Sequence, residues 1–173
     1  MDCGFDCMEF NRYRVDAPYP AVVIPRANPY EARLISGAYA GPGSESTAIA
    51  QYAAHRFFLA EHPDIYTAYQ YIAATEMVHF NFLGHLVHAL GLNPVLYSYE
   101  DNEYWNGANP DYQYTLQQIL ESDIQGERNA IAHYTRLIGQ IGNESIQDLF
   151  RRIVMDEERH IEVLTGFYGK YFH

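Results

Sequence analysis

The 173-residue sequence reads as an all-α protein, a single antiparallel four-helix bundle with a long crossover between its second and third helices. Three observations carry that expectation. Apolar residues recur at i, i+3/i+4 and i+7 in four long stretches, Asn-Pro and Gly signals separate those stretches, and the length suits one core better than two. A hydrophobic fraction of 48% lies inside the globular range and excludes wholesale disorder.

Residues 1–28 hold Pro18, Pro20 and Pro25 around the β-forming triplet Val22, Val23 and Ile24, which predicts an extended arm; residues 29–173 then form the bundle. The first helix, about 29–61, opens at Asn28-Pro29, where Asn caps and Pro loses no needed N–H. Within it, Gly41-Pro42-Gly43 breaks the hydrogen-bond ladder, so a kink or a fresh start is expected at Ser44. Pro63-Asp64 opens the second helix, 63–91, and Gly91 with Asn93-Pro94 closes it. Asn109-Pro110 opens the third, 110–140, and Asn143-Glu144 the fourth, 143–171. Between the second and third, residues 92–109 carry Tyr97, Tyr99, Tyr104 and Trp105, as a packed strap would. Eighteen extended residues reach ~60 Å against the ~40 Å of a full-length crossover, and the two hairpins are expected to run in the same direction.

Each helix places a carboxylate in its apolar stripe. On the third the stripe is Leu116, Leu120, Ile124, Glu127, Ile131, Tyr134, Ile138; on the fourth it is Phe150, Ile153, Glu157, Ile161, Leu164, Tyr168. The second repeats the pattern around Glu76 and His79, and the first around Glu45. A carboxylate entering a core must be neutralised, paired or bound to a metal. Two helices also contain Glu-x-x-His, at Glu76/His79 and Glu157/His160, a spacing that sets both side chains on one face a turn apart. Glu45 lies 17 residues before His62, with Glu76 and His79 14 and 17 after it; Glu127 lies 15 before Gly142, with Glu157 and His160 15 and 18 after it. At ~1.5 Å per residue all six meet in one layer. Four carboxylates and two imidazoles suit two divalent transition metal ions, iron or manganese, and the charges balance.

With these residues in place, the sequence resembles the ferritin-like di-metal carboxylate superfamily over residues 29–171. Ser44-Glu45-Ser46, Glu76-Met77-Val78-His79 and Asp156-Glu157-Glu158-Arg159-His160 are most similar to its rubrerythrin and manganese-catalase branch. The resemblance implies metal ligation by Glu45, Glu76, His79, Glu127, Glu157 and His160, the second- and fourth-helix glutamates bridging or chelating. In manganese catalases the fourth-helix glutamate can stand off as an acid/base group, so Glu157 is carried both as ligand and as catalytic proton carrier. Asp156 matches an acid that hydrogen-bonds a ligand imidazole across the bundle. Helix-surface charge is the competing account of Asp156 and the favoured one for Asp123, four residues before Glu127. Tyr52 and Tyr134, two turns beyond Glu45 and Glu127, are candidates to move protons or electrons, or are core tyrosines with satisfied hydroxyls. His55, His62, His85, His88, His133 and His173 are assigned surface or interface roles.

The implied activity is that of a dinuclear oxidoreductase acting on hydrogen peroxide or dioxygen. No CxxC pairs are present, so the rubredoxin-like module of full-length rubrerythrins is missing and an external electron donor has a place. The alternatives are ferroxidation or iron storage in a ferritin-like assembly, and a structural coat-type protein with a vestigial metal site. Twenty-two acids against 11 Lys plus Arg give a charge of −11, which repels phosphate and anionic lipid and argues against nucleic acid and membrane surface as partners. Cys3 and Cys7 make no disulfide framework, and residues 1–10 lack a basic, apolar leader pattern, so a cytoplasmic setting is expected. Sixteen tyrosines with only 19% charged residues predict an aromatic outer surface buried in a homo-oligomer, a dimer or larger.

Overall fold

A computed structural model describes residues 7–172. In chain order the elements are α1 (Cys7–Phe10), α2 (Pro29–Ala40), α3 (Glu45–Phe58), α4 (Pro63–Ala89), β1 (Tyr97–Ser98), β2 (Glu103–Tyr104), α5 (Leu116–Gln140) and α6 (Glu144–Phe172). Cys3 and His173 lie outside the described residues. No described helix is long and apolar enough to cross a membrane.

The expected first helix is two helices, with the fresh start where the Gly-Pro-Gly break places it. Asn28 accepts the Glu31 N–H at 3.3 Å and opens α2, Gly41 ends it, and Ser44 stands at the N-cap of α3. Gly41 is required there, because a Cβ would lie 2.5 Å from the Gly37 carbonyl oxygen and 2.8 Å from Asp101 Oδ2. The third helix begins at Leu116 rather than at Pro110, with Thr115 as its cap. The reason is tertiary: the N–H groups of Asp111 and Gln113 donate to Gln51 Oε1 (2.7 Å) and His55 Nε2 (3.0 Å) on α3, which holds the segment out of a helical path.

α3 packs on α4 and α5 on α6, while α3 with α5 and α4 with α6 close the ring; α2 covers α4. Two apolar clusters fill the bundle. One joins Ile35, Leu83, Leu86, Leu137, Ile146, Leu149 and Phe150; the other joins Leu59, Ile65, Tyr69, Ile72, Ile119, Leu120 and Leu164. The start of α4, the start of α5 and the end of α6 thus share one end of the bundle. α5 therefore runs parallel to α4 and antiparallel to α3, and the hairpins turn at opposite ends rather than running in the same direction. A crossover that travels the full length must deliver α5 to the end where α4 began.

The strap folds as a two-stranded hairpin, Tyr97 opposite Tyr104 and Ser98 opposite Glu103, with Asn102 at φ 61° in its turn, a conformation Asn tolerates. Tyr99 N–H donates to Ser36 Oγ (2.8 Å) and Trp105 Nε1 to Thr47 Oγ1 (2.9 Å), which fastens the strap to α2 and α3. After the short α1 the N-terminal segment passes through turns and bends at 11–17, and it lies along α6. Arg152 donates to the carbonyls of Val15 and Ala17, and Arg159 to that of Arg12.

Two glycines two residues apart at the α2–α3 break give a controlled test. Gly41→Ala must displace backbone or Asp101 and is expected to cost about 1–3 kcal/mol in urea unfolding. Gly43→Ala, whose Cβ meets nothing within 4 Å, is expected to stay within about 0.5 kcal/mol of the parent; equal effects would show that the break is not a packing requirement.

Candidate metal centre

Each helix of the ring contributes to one buried layer between the two apolar clusters. Glu45 sits in the first turn of α3, where the helix dipole favours a carboxylate, and is 5% exposed. Glu76 and His79 come from α4, Glu127 from α5, and Glu157 and His160 from α6, and all of these are buried. The layer resolves into two groups of four, Glu45, Glu76, His79 and Glu157, and Glu76, Glu127, Glu157 and His160. Within each group the donor atoms lie within 4.8 Å of one another. Glu76 and Glu157 belong to both groups, whereas Glu45 and Glu127 belong to one each.

Both imidazoles turn Nδ1 inward. His79 Nδ1 is 3.0 Å from Glu76 and 3.3 Å from Glu157; His160 Nδ1 is 2.9 Å from Glu76, 3.1 Å from Glu157 and 3.4 Å from Glu127. Both oxygens of Glu157, Oε1 of Glu76 and Nδ1 of His160 lack a well-aligned hydrogen-bond partner among the described residues, although charged neighbours crowd them. Buried polar atoms that converge without pairing are what a cation would satisfy. The donor set of carboxylate oxygen and imidazole nitrogen fits iron or manganese.

The charges show the same demand. Burial, then the charges of Glu76 and Glu157, raise Glu45 well above the usual carboxylate range, and burial with Glu76 pushes Glu127 up to about 8. Burial acts the same way on Glu76, but His160 and His79 outweigh it and hold Glu76 below its usual range. Burial opposes charge on the two rings, yet the surrounding carboxylates raise both well above the ordinary imidazole range. Without cations, the folded layer holds protons in their place.

Tyr52 and Tyr134 are both buried, and they cross the bundle. Tyr52 donates to Glu127 Oε1 and Tyr134 to Glu45 Oε1, each binding the glutamate of the other hairpin. Burial first, then the facing carboxylate, holds both phenols well above their ordinary pKa, so they stay protonated donors. Asp156, fully buried, lies 3.2 Å from His79 Nε2, which makes it a partner of that imidazole and not surface charge. Burial is outweighed by His79, Arg152 and the Val15 N–H, and Asp156 is held below the usual carboxylate range.

Asp123 departs from its favoured surface reading: it is 2% exposed and accepts from Gln51 (2.8 Å), Tyr69 (2.7 Å) and His55 Nδ1 (3.0 Å). His55, set aside from sequence as a surface residue, is fully buried. Its Nε2 accepts from Gln113, so its proton is on Nδ1, toward Asp123. The available signal was its spacing, three residues beyond Tyr52 on the same stripe. His85 and His88 are exposed, away from the layer. Arg152, four residues before Asp156, was likewise legible as an i, i+4 pair and is 2.7 Å from it.

A cavity of about 350 Å³ opens between α3 and α5 and reaches Glu45, Glu76, Glu127 and Glu157. Small residues, Ala48, Gly126 and Ala130, line it, and Asn109, Asp111 and Asn129 lie along its outer part.

No curated protein sequence matches the chain. Among solved structures it is similar to KatB, a manganese catalase from Anabaena, at 21% identity and TM-score 0.81, over 90% of this chain and 78% of that one. It is also similar to the bacterioferritin of Rhodobacter capsulatus, at 20% identity and TM-score 0.68, over 84% and 88%, and to that of Mycobacterium tuberculosis, at 21% and 0.67, over 83% and 87%. These likenesses establish the ferritin-like bundle. The rubrerythrin family pattern matches residues 42–168, which hold α3, α4, α5, all but the last turn of α6 and the whole carboxylate layer, and the chain belongs to the rubrerythrin family.

Proposed function

We infer that the protein is a dinuclear iron or manganese oxidoreductase acting on hydrogen peroxide or dioxygen. The observation that carries this reading is the layer of four carboxylates and two imidazoles whose unpaired atoms converge at the inner end of a solvent-reaching cavity. The similarity to a manganese catalase and the family membership agree with it. Glu45 and His79 would hold one ion, Glu127 and His160 the other, and Glu76 and Glu157 would be shared. Two such ions supply the electron pair that reduction of peroxide to two waters consumes.

The chain's own groups do the rest. The cavity, about 350 Å³, gives a small molecule a path from solvent to the layer. Reduction of one peroxide also consumes two protons, and Tyr52 and Tyr134 hold phenolic protons at the cavity wall, each on a terminal glutamate. Those tyrosines therefore keep protons within reach of the substrate while orienting the carboxylates. Glu157, placed in both groups, is read as a shared ligand in preference to a stand-off base. Exposed Phe57, Phe58 and Tyr114, the last two in edge contact at 5.3 Å, are consistent with a homo-oligomer.

Metal analysis of the purified protein is expected to find two iron or manganese ions per chain, with hydrogen peroxide turnover by one loaded form. Fewer than one ion per chain, unchanged by Glu76→Ala with His160→Ala, would sink the reading. Gly126→Leu projects into open space on α5 and is expected to lower kcat/KM for peroxide about tenfold with metal content unchanged, since it narrows the entry and removes no ligand.

A pH experiment on the metal-free protein tests the same layer. A group whose folded pKa is raised binds its proton more tightly folded than unfolded, so its stabilisation is present below the unfolded pKa and is lost as pH rises through the folded one. Glu45, Glu127, His79 and His160 are all raised, Glu127 to about 8. Thermal melts are expected to show stability falling as pH climbs from the carboxylate range past 8, and Mn(II) is expected to flatten that slope while releasing protons. A metal-free protein that gains stability over that interval contradicts the assignment.

A further inference from the structure

The two ion positions are near copies on the inside. Glu45 and Tyr52 are spaced as Glu127 and Tyr134 are, Glu76 and His79 as Glu157 and His160, and the tyrosine hydrogen bonds cross reciprocally. Their outer faces differ. His79 Nε2 lies 3.2 Å from Asp156 Oδ2, and that carboxylate is gripped by the Val15 N–H (2.8 Å), the Tyr19 hydroxyl (2.7 Å) and Arg152 Nη1 (2.7 Å). Arg152 in turn donates to the carbonyls of Val15 (2.6 Å) and Ala17 (2.9 Å), so segment 15–19 and Asp156 form one unit. Residues 15–19 lie outside the part of the chain that matches the family.

On the other side, Thr75 stands immediately before its Glu-x-x-His, where Asp156 stands in the second motif. Its hydroxyl is taken by the Tyr71 carbonyl at 3.2 Å. His160 Nε2 is buried and has no hydrogen-bond partner among the described residues. An imidazole whose remote N–H is fixed on a carboxylate is held in the metal-binding tautomer and is a stronger donor, and loss of such a partner typically weakens metal affinity about 10–100-fold.

We propose that the N-terminal segment 15–19, acting through Asp156, makes the two ion positions unequal, so that the position on His79 fills first and empties last. This rests on the dinuclear reading above. Val15 and Tyr19 are positioning residues in it: they fix Asp156, which fixes His79. His160 has no acceptor on Nε2 among the described residues to fix its tautomer, and its ion is the exchangeable one.

Titration of the metal-free, full-length chain with Mn(II), with free Mn(II) read by electron paramagnetic resonance, separates the outcomes. Two steps with dissociation constants about 10–100-fold apart are expected. Asp156→Asn should move the tight step onto the weak one, and Tyr19→Phe should move it part of the way. His160→Ala should keep the tight step and His79→Ala should lose it. Two equal steps in the parent chain, a tight step unmoved by both Asp156→Asn and Tyr19→Phe, or a tight step lost with His160 instead, would overturn the proposal. If Asp156→Asn fails to fold by circular dichroism, Tyr19→Phe decides alone. If neither Mn(II) nor, in an anaerobic repeat, Fe(II) binds at all, the dinuclear reading itself is refuted, a result distinct from equal steps.

Discussion

Four carboxylates buried within a few ångströms of one another are the costliest feature of this bundle, and most of its architecture follows from accommodating them. Each would lose several kcal/mol on desolvation if left charged and unpaired. The two imidazoles offset part of that by sharing charge with Glu76 and Glu157. Glu45 and Glu127 keep protons in the absence of cations. The apolar core is split into two clusters, one on each side of the layer, and their packing supplies the burial that holds the layer together.

Outward from the layer, specific contacts tie it to the surrounding elements. Crosswise tyrosines tie the two hairpins to one another through the terminal glutamates. The strap seals α2 and α3 through Ser36 and Thr47, and its continuation reaches Gln51 and His55, which reach Asp123. The α3–α5 face is left open, because its small residues and the glycine at 126 do not fill it. Access and rigidity are therefore assigned to different faces: tight hairpin packing within α3/α4 and α5/α6, and a cavity across the seam between hairpins.

Much of this was legible residue by residue. The two Glu-x-x-His motifs, the single glutamates on the other stripes and the matched heights are consequences of a 3.6-residue period, and the structure brings all six side chains together as that period requires. The break at Gly41-Pro42-Gly43 was legible for the same local reason. Asn109-Pro110 misled, because nothing local distinguishes it from a true cap; Thr115 won through hydrogen bonds that Asp111 and Gln113 make to α3, about 60 residues earlier in the chain. His55 and Asp123 were placed on the surface because their partners, Tyr69, Gln51 and each other, lie on different helices.

Sequence alone determined what a helical turn determines: which helices form, which face of each carries a carboxylate and an imidazole, and the height at which those faces meet. Only the tertiary structure decided how the hairpins are oriented, which phenol reaches which glutamate, and that Asp156 answers to His79 and to the N-terminal segment while His160 has no counterpart among the described residues. The physical reason is range. Helical periodicity is set by bonds four residues apart, whereas these outer contacts join groups more than 70 residues apart, and their geometry depends on the path of the strap and the arm across the bundle.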